Sequence, residues 1–163
     1  MLLVVFVCTG NICRSPMAEG ILRHRWGQEK RDDLRVSSMG IHGLDLQPPS
    51  KLSAQLCAEH GIDISSHRSR PLVFDELNEA DFIFTMDFVQ QEFIQMFFPA
   101  LRQKVYLLGA WPDKPGRKNV IKDPIGGSAK VYQKTFESIS YHIQRILPEL
   151  LFHADAKKQS SHG

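Results

Sequence analysis

The sequence predicts an α/β domain: a single domain with a parallel sheet flanked by helices on both faces. Three observations lead there. The run "MLLVVFV" at the N-terminus is continuously apolar and rich in β-branched residues, as in a strand buried on both sides. Strand-like and helix-like segments then alternate along the whole chain. No internal repeat and no linker interrupts them, and 163 residues suffice for one core.

Each element has its own local signal. Residues 2–7 form the first strand. Ser15-Pro16 reads as a helix start, a serine cap followed by proline in the first turn, and Met17, Ile21, Leu22 and Trp26 recur at helical spacing. "LRVSSMG" (34–40) is a second strand ending in glycine, and "IHGLDLQPPS" (41–50) is a loop. Ser50 is placed to cap a helix over "KLSAQLCAEH", which Gly61 ends. A basic loop and a short helical piece occupy 67–80. "DFIFTM" (81–86) is the third strand, and "DFVQQEFIQMFF" (87–98) is an amphipathic helix stopped by Pro99. "KVYLLG" (104–109) is the fourth strand. Residues 110–128, rich in Pro and Gly, are loop. A long amphipathic helix covers 129–151. The folded domain is therefore expected over 1–152, with 153–163 a frayed polar tail.

Composition excludes several function classes. Hydrophobic residues make up 42% and charged residues 23%, with a net charge of +2. That balance lacks the clustered basic stripe of a nucleic-acid binder. No apolar run reaches the roughly 18–20 residues that span a bilayer. "MLLVVFV" lacks a basic leader and breaks too early for a signal peptide. Three cysteines argue against a disulfide scaffold and for a reducing, cytoplasmic setting.

The chemistry concentrates in "VCTGNICRSPMAEG" (7–20). Cys8 ends the first strand, where parallel sheets bind ligands. It reads either as a small core residue or as a nucleophile. A loop between a strand end and a helix start turns backbone N–H groups inward as an anion nest. Gly10 permits a tight turn and Asn11 tolerates the left-handed conformation. Arg14 adds a planar two-pronged donor suited to phosphate. The same positive field favours a thiolate at Cys8. Ser15 either donates to that thiolate or caps the helix. The loop residues Thr9, Gly10, Asn11, Ile12, Cys13 and Ser15 are thus expected to contact an oxyanion substrate, with sulfur taking the phosphoryl group and water releasing it. Such a reaction requires no metal or other cofactor. A nucleotide P-loop is excluded because no Gly-Lys pair follows. Cys8 and Cys13 are too far apart for a C-x-x-C redox motif, and paired zinc-ligand spacing is missing. Asp123, followed by Pro124, Gly126 and Gly127 in a loop before a helix, reads as a positioned acid or as a turn or capping aspartate.

"CTGNICRSPMAE" together with the late "IKDPIGG" resembles the low-molecular-weight protein tyrosine phosphatases, in bacterial form, nearly end to end. The resemblance implies a four-stranded parallel sheet in the order 2-1-3-4. It implies Cys8 as nucleophile, Arg14 as phosphate-binding residue and Asp123 as general acid and base, kept protonated by partial burial or by the substrate's charge. Asn11, Ser15, Ser38 and His67 become a supporting hydrogen-bond network, and Cys13 the second loop cysteine, able to form a reversible disulfide with the nucleophile. Phosphotyrosine proteins are the implied partners, with phosphate or other oxyanions in the loop. His67 is read as structural, with Arg70 similar. Cys57 is read as core, and Asp87 as a border of the site or a helix cap.

Two departures stand out. Where many members carry a cleft-wall tryptophan, this chain has Leu44. Where tyrosines often follow the Asp-Pro pair, it has Ile125 and Gly126. A leucine-type loop with "DPIG" resembles members paired with bacterial tyrosine autokinases of capsule and exopolysaccharide export. Three rival readings are an arsenate reductase of the same fold, which lacks a further thiol pair here; a non-catalytic phosphotyrosine-binding module; and a redox sensor using Cys8 and Cys13.

Overall fold

A computed structural model describes residues 1–43 and 45–161. Leu44, expected to wall the cleft, lies outside the described residues. The strands are β1 (Leu2–Cys8), β2 (Leu34–Gly40), β3 (Phe82–Thr85) and β4 (Val105–Leu107). All pair in parallel, in the expected order β2-β1-β3-β4. The helices are α1 (Arg14–Gln28), α2 (Lys51–Glu59), α3 (Phe74–Glu79), α4 (Phe88–Phe97) and α5 (Ala129–Ser160).

Alternation along β1 sorts the core into two halves. Val4, Phe6 and Cys8 pack with Met17 and Ile21 of α1, Cys57 of α2 and Ile139 and Ile143 of α5. Val5 and Val7 face the other way, against Leu77 of α3 and Ile94 of α4. A strand buried on both faces has no polar side to show, which is why its sequence is an unbroken apolar run. Cys57 is fully buried, and burial pushes its thiol up to about 12; it is a core residue.

The order 2-1-3-4 makes the carboxyl end of β1 the site-forming position. The chain leaves β1 through α1 toward β2 on one side, then crosses back to β3 on the other. The loops after β1 and β3 diverge and leave a crevice between them, the place where open α/β sheets bind ligands. Cys8 lies there, paired in register with Gly40.

The C-terminus departs from expectation. α5 does not end at Leu151, and the segment expected as a polar tail from 153 is helical through Ser160. The cause is anchoring that composition hides. Ala154 is buried. Asp155 pairs with Arg31 at 2.7 Å, Lys157 with Asp81 at 2.7 Å and Lys158 with Asp33 at 3.0 Å.

Asp33 is the hub of that anchor. It also accepts Arg31 at 2.6 Å and the indole N–H of Trp26 at 3.1 Å. The Arg31 guanidinium in particular holds its carboxyl far below the usual carboxylate range. A depressed native value adds stability above the unfolded carboxylate's pKa of about 4, and that stability is lost as pH falls further. Asp33→Asn should therefore cost about 2 kcal/mol at neutral pH. In urea titrations the gap to wild type should close progressively below about pH 4.

Candidate active site

The loop from Thr9 to Cys13 joins β1 to α1. Its left-handed residue is Asn11, at φ 59°. Gly10, expected to supply the turn's freedom, is not in the positive-φ region, and a Cβ there would meet only Ile12 at 3.8 Å. The glycine that the loop requires is Gly40, across the sheet. A Cβ at Gly40 would lie 2.5 Å from the Thr9 carbonyl oxygen and 3.0 Å from the Asn11 nitrogen. The loop folds down onto the end of β2 because nothing projects there.

Asn11 has no exposure, and its polar groups are engaged all round. Its side-chain amide donates to Ser15 Oγ at 2.8 Å and Ser38 Oγ at 3.0 Å. Its Oδ1 accepts the Arg70 N–H at 3.0 Å. Its carbonyl oxygen lies 2.7 Å from His67 Nε2; a carbonyl only accepts, so that nitrogen carries the proton. Ser38 in turn donates to Glu19 at 2.6 Å, and the Arg70 guanidinium pairs in fork fashion with Glu76 at 2.6 and 2.8 Å. These contacts offset the strain of a non-glycine residue at positive φ.

Cys8 Sγ sits 2.9 Å from Ser15 Oγ and accepts the Asn11 backbone N–H at 3.2 Å. Ser15 does not cap α1: the cap position falls on Cys13, without a side-chain bond, and the Ser15 hydroxyl is turned to the sulfur. Ser50 likewise occupies the cap position of α2 without capping it, and donates instead to Ser53 at 2.8 Å. Burial raises the pKa of the Cys8 thiol, and the opposing pull of Arg14, the Ser15 hydroxyl and the Asn11 N–H does not outweigh it.

Arg14 opens α1 and is 2% exposed. Its Nη1 donates to Asp87 Oδ2 at 2.8 Å and to the Ile121 carbonyl at 2.9 Å. Its Nη2 lies 3.5 Å from Asp123 Oδ2. Asp87 thus fills both roles left open for it, because Oδ1 caps α4 by accepting the Val89 N–H at 2.9 Å. Asp123 is held in its loop by accepting the Ile125 N–H at 3.1 Å, and Gly126 follows at φ 76°. The Asp123 side chain is partly covered, 39% exposed.

Cys13 is buried, with Sγ 3.4 Å from both Ser50 Oγ and Tyr132 Oη. All three cysteines are free thiols. Thr9 is steadied by Gln90, whose amide donates to Oγ1 at 3.0 Å. Sequence reasoning missed Glu19, Gln90 and the Tyr132 contact. Only Gln90 left a readable sign, three residues after Asp87 at the start of α4, where a capping box belongs. Among the described residues no group of three or more His, Cys, Asp or Glu could hold a metal ion. No helix among them is long and apolar enough to cross a membrane.

The parallel α/β sheet thus brings a cysteine and an arginine six residues apart to one loop at the carboxyl end of β1. The family model for the low molecular weight phosphotyrosine protein phosphatases matches residues 3–160, and the chain belongs to that family. It is 33% identical over 147 residues to EpsP of Ralstonia nicotianae, a probable low molecular weight protein-tyrosine-phosphatase, covering 90% of this chain and 94% of that one. The crystal structure of the low molecular weight protein tyrosine phosphatase from T. tengcongensis superposes with a TM-score of 0.84 at 33% identity, over 91% of this chain and 99% of that one. A protein-arginine-phosphatase of Geobacillus stearothermophilus is 29% identical over 147 residues, covering 90% and 95%.

Proposed function

We propose that this chain is a cytoplasmic protein-tyrosine phosphatase working through a cysteinyl-phosphate, with Cys8 as nucleophile, Arg14 as phosphate ligand and Asp123 as general acid and base. The observation that carries this reading is the placement of Cys8 Sγ beside the Ser15 hydroxyl and the Asn11 N–H, on the same loop as a buried Arg14.

The steps follow from what each group can do. A phosphoryl dianion settles among the loop N–H groups and the Arg14 guanidinium. It takes the Cys8 proton and leaves a thiolate against phosphorus. Sulfur forms the S–P bond as the ester P–O bond breaks. Asp123, as general acid, gives its proton to the leaving oxygen. Its carboxylate then takes a proton from water, the water oxygen attacks phosphorus, and phosphate and thiolate separate. Ser15 stabilises the thiolate each time it forms. Asn11, held by Ser38 and His67, keeps the loop open to the anion.

Tyrosine rather than arginine is favoured by the apolar mouth. Ile125, 60% exposed, stands two residues after Asp123, and Ile12 sits partly exposed in the loop. Both suit an aryl ring, and neither side chain offers a polar partner to a phosphoguanidinium. A bacterial tyrosine autokinase is the partner class implied by the resemblance of the "DPIG" segment.

Hydrolysis of para-nitrophenyl phosphate should persist in EDTA. Asp123→Asn should lower kcat about 10²- to 10³-fold. A loss in kcat/KM as large for an activated aryl phosphate as for a phosphotyrosine peptide would contradict a leaving-group role. Faster hydrolysis of phosphoarginine than phosphotyrosine peptides would move the assignment to the arginine class.

A further inference from the structure

The outer face of α4 is exposed, with no covering element among the described residues. Its sequence, "FVQQEFIQMF", holds one charged residue, Glu92. Val89, Met96 and Phe97 are exposed at 62%, 69% and 60%. Phe93 packs its ring on Phe97 with centroids 4.6 Å apart, and His42 meets Phe93 edge-on at 6.1 Å. A solvent-facing helix side is ordinarily charged. Aromatic and Met enrichment with charge depletion is instead the composition of a binding patch's centre.

The face is continuous with the catalytic crevice. Asp87, which caps α4, holds Arg14, and Gln90 in its first turn holds Thr9. The His42 N–H donates to the Thr9 carbonyl at 2.9 Å while its ring covers Phe93. From Val89 to Phe97 the helix rises about 12 Å, the reach of about four extended residues. The loop that leads to Asp123 supplies the complementary charge. Lys114, Arg117, Lys118 and Lys122 are exposed there, and none forms an ion pair among the described residues.

We infer that the α4 face is the docking surface for the polypeptide that carries the phosphoryl group. The segment it fits has a large apolar residue three to five positions from the phosphorylated side chain and acidic residues toward the 114–122 loop. This rests on the phosphatase reading, since it assigns that site's macromolecular substrate.

The test uses a binding readout independent of turnover. Two acidic phosphotyrosine peptides, one with Phe and Leu three to five positions from the phosphotyrosine and one with serine there, are titrated by fluorescence anisotropy into Cys8→Ser. The same titration is made into Cys8→Ser carrying Met96→Ser and Phe97→Ser. The apolar peptide should bind about tenfold more tightly than the serine peptide, and the preference should vanish with the two α4 substitutions, while inorganic phosphate binds both proteins equally. No preference, or a preference that survives the α4 substitutions, overturns the inference. So does a wild-type dimer in sedimentation that those substitutions dissolve, which would assign the face to a second copy. Para-nitrophenyl phosphate turnover with Cys8 intact separates the two readings: a preference without turnover sinks the phosphatase assignment, and turnover without a preference sinks the docking surface.

Discussion

Cys8→Ser loses hydrolysis of aryl phosphates by at least about 10⁴-fold while retaining phosphate binding. The two effects separate because the residue touches the anion site without building it. The loop conformation is set by Asn11 at positive φ and by its bonds to Ser15, Ser38, Arg70 and His67, none of which uses the sulfur. A hydroxyl at position 8 keeps the contact to Ser15 but is a far weaker nucleophile than a thiolate. Steady-state assays give the loss, and calorimetric titration with inorganic phosphate shows the retained site. A serine variant that also fails to bind phosphate would mean that the sulfur holds the loop together.

Arg14→Lys is the second large effect, a fall of about 10³-fold in kcat/KM shared between binding and chemistry. Arg14 is anchored by Nη1 to Asp87 and to the Ile121 carbonyl, which fixes the plane of its fork. Lysine carries the charge but cannot hold two anchors and still present parallel donors to two phosphoryl oxygens. The loss should appear in both kcat and the phosphate affinity. A variant with wild-type kcat and weakened affinity alone would show that Arg14 contributes only ground-state binding. Asp87→Asn keeps a cap acceptor while releasing the charge, and it should reproduce a milder form of the same defect.

Much of this site is legible in the chain because its parts are local. Cys8 through Ser15 lie in one loop, and the strand before and helix start after it are unmistakable. The alternation of strands and helices is regular enough to give the sheet. What the sequence hid is assembled across distance. The Arg14–Asp87 pair joins residues 73 apart, and the Gln90–Thr9 contact residues 81 apart, so no spacing announces either. Local reading also misassigned Ser50 and left Ser15 open between a helix cap and a partner of the sulfur. Ser15-Pro16 has the form of a helix start, yet tertiary demand from the sulfur and Asn11 takes the hydroxyl away from the helix end. The last turns of α5 failed for a related reason. "HADAKKQS" looks like a solvated tail because its charges find Arg31, Asp33 and Asp81 only in the fold.

The central claim is that phosphate passes through sulfur. The direct measurement is a rapid acid quench of the chain with para-nitrophenyl phosphate, followed by mass spectrometry of the peptide spanning Cys8, alongside the stopped-flow release of para-nitrophenolate. A phosphoryl group on Cys8, formed within a burst stoichiometric with enzyme and enriched in Asp123→Asn as hydrolysis slows, is the result that the mechanism predicts. Turnover with no burst and an unmodified Cys8, or a phosphoryl group on Ser15 instead, would contradict it.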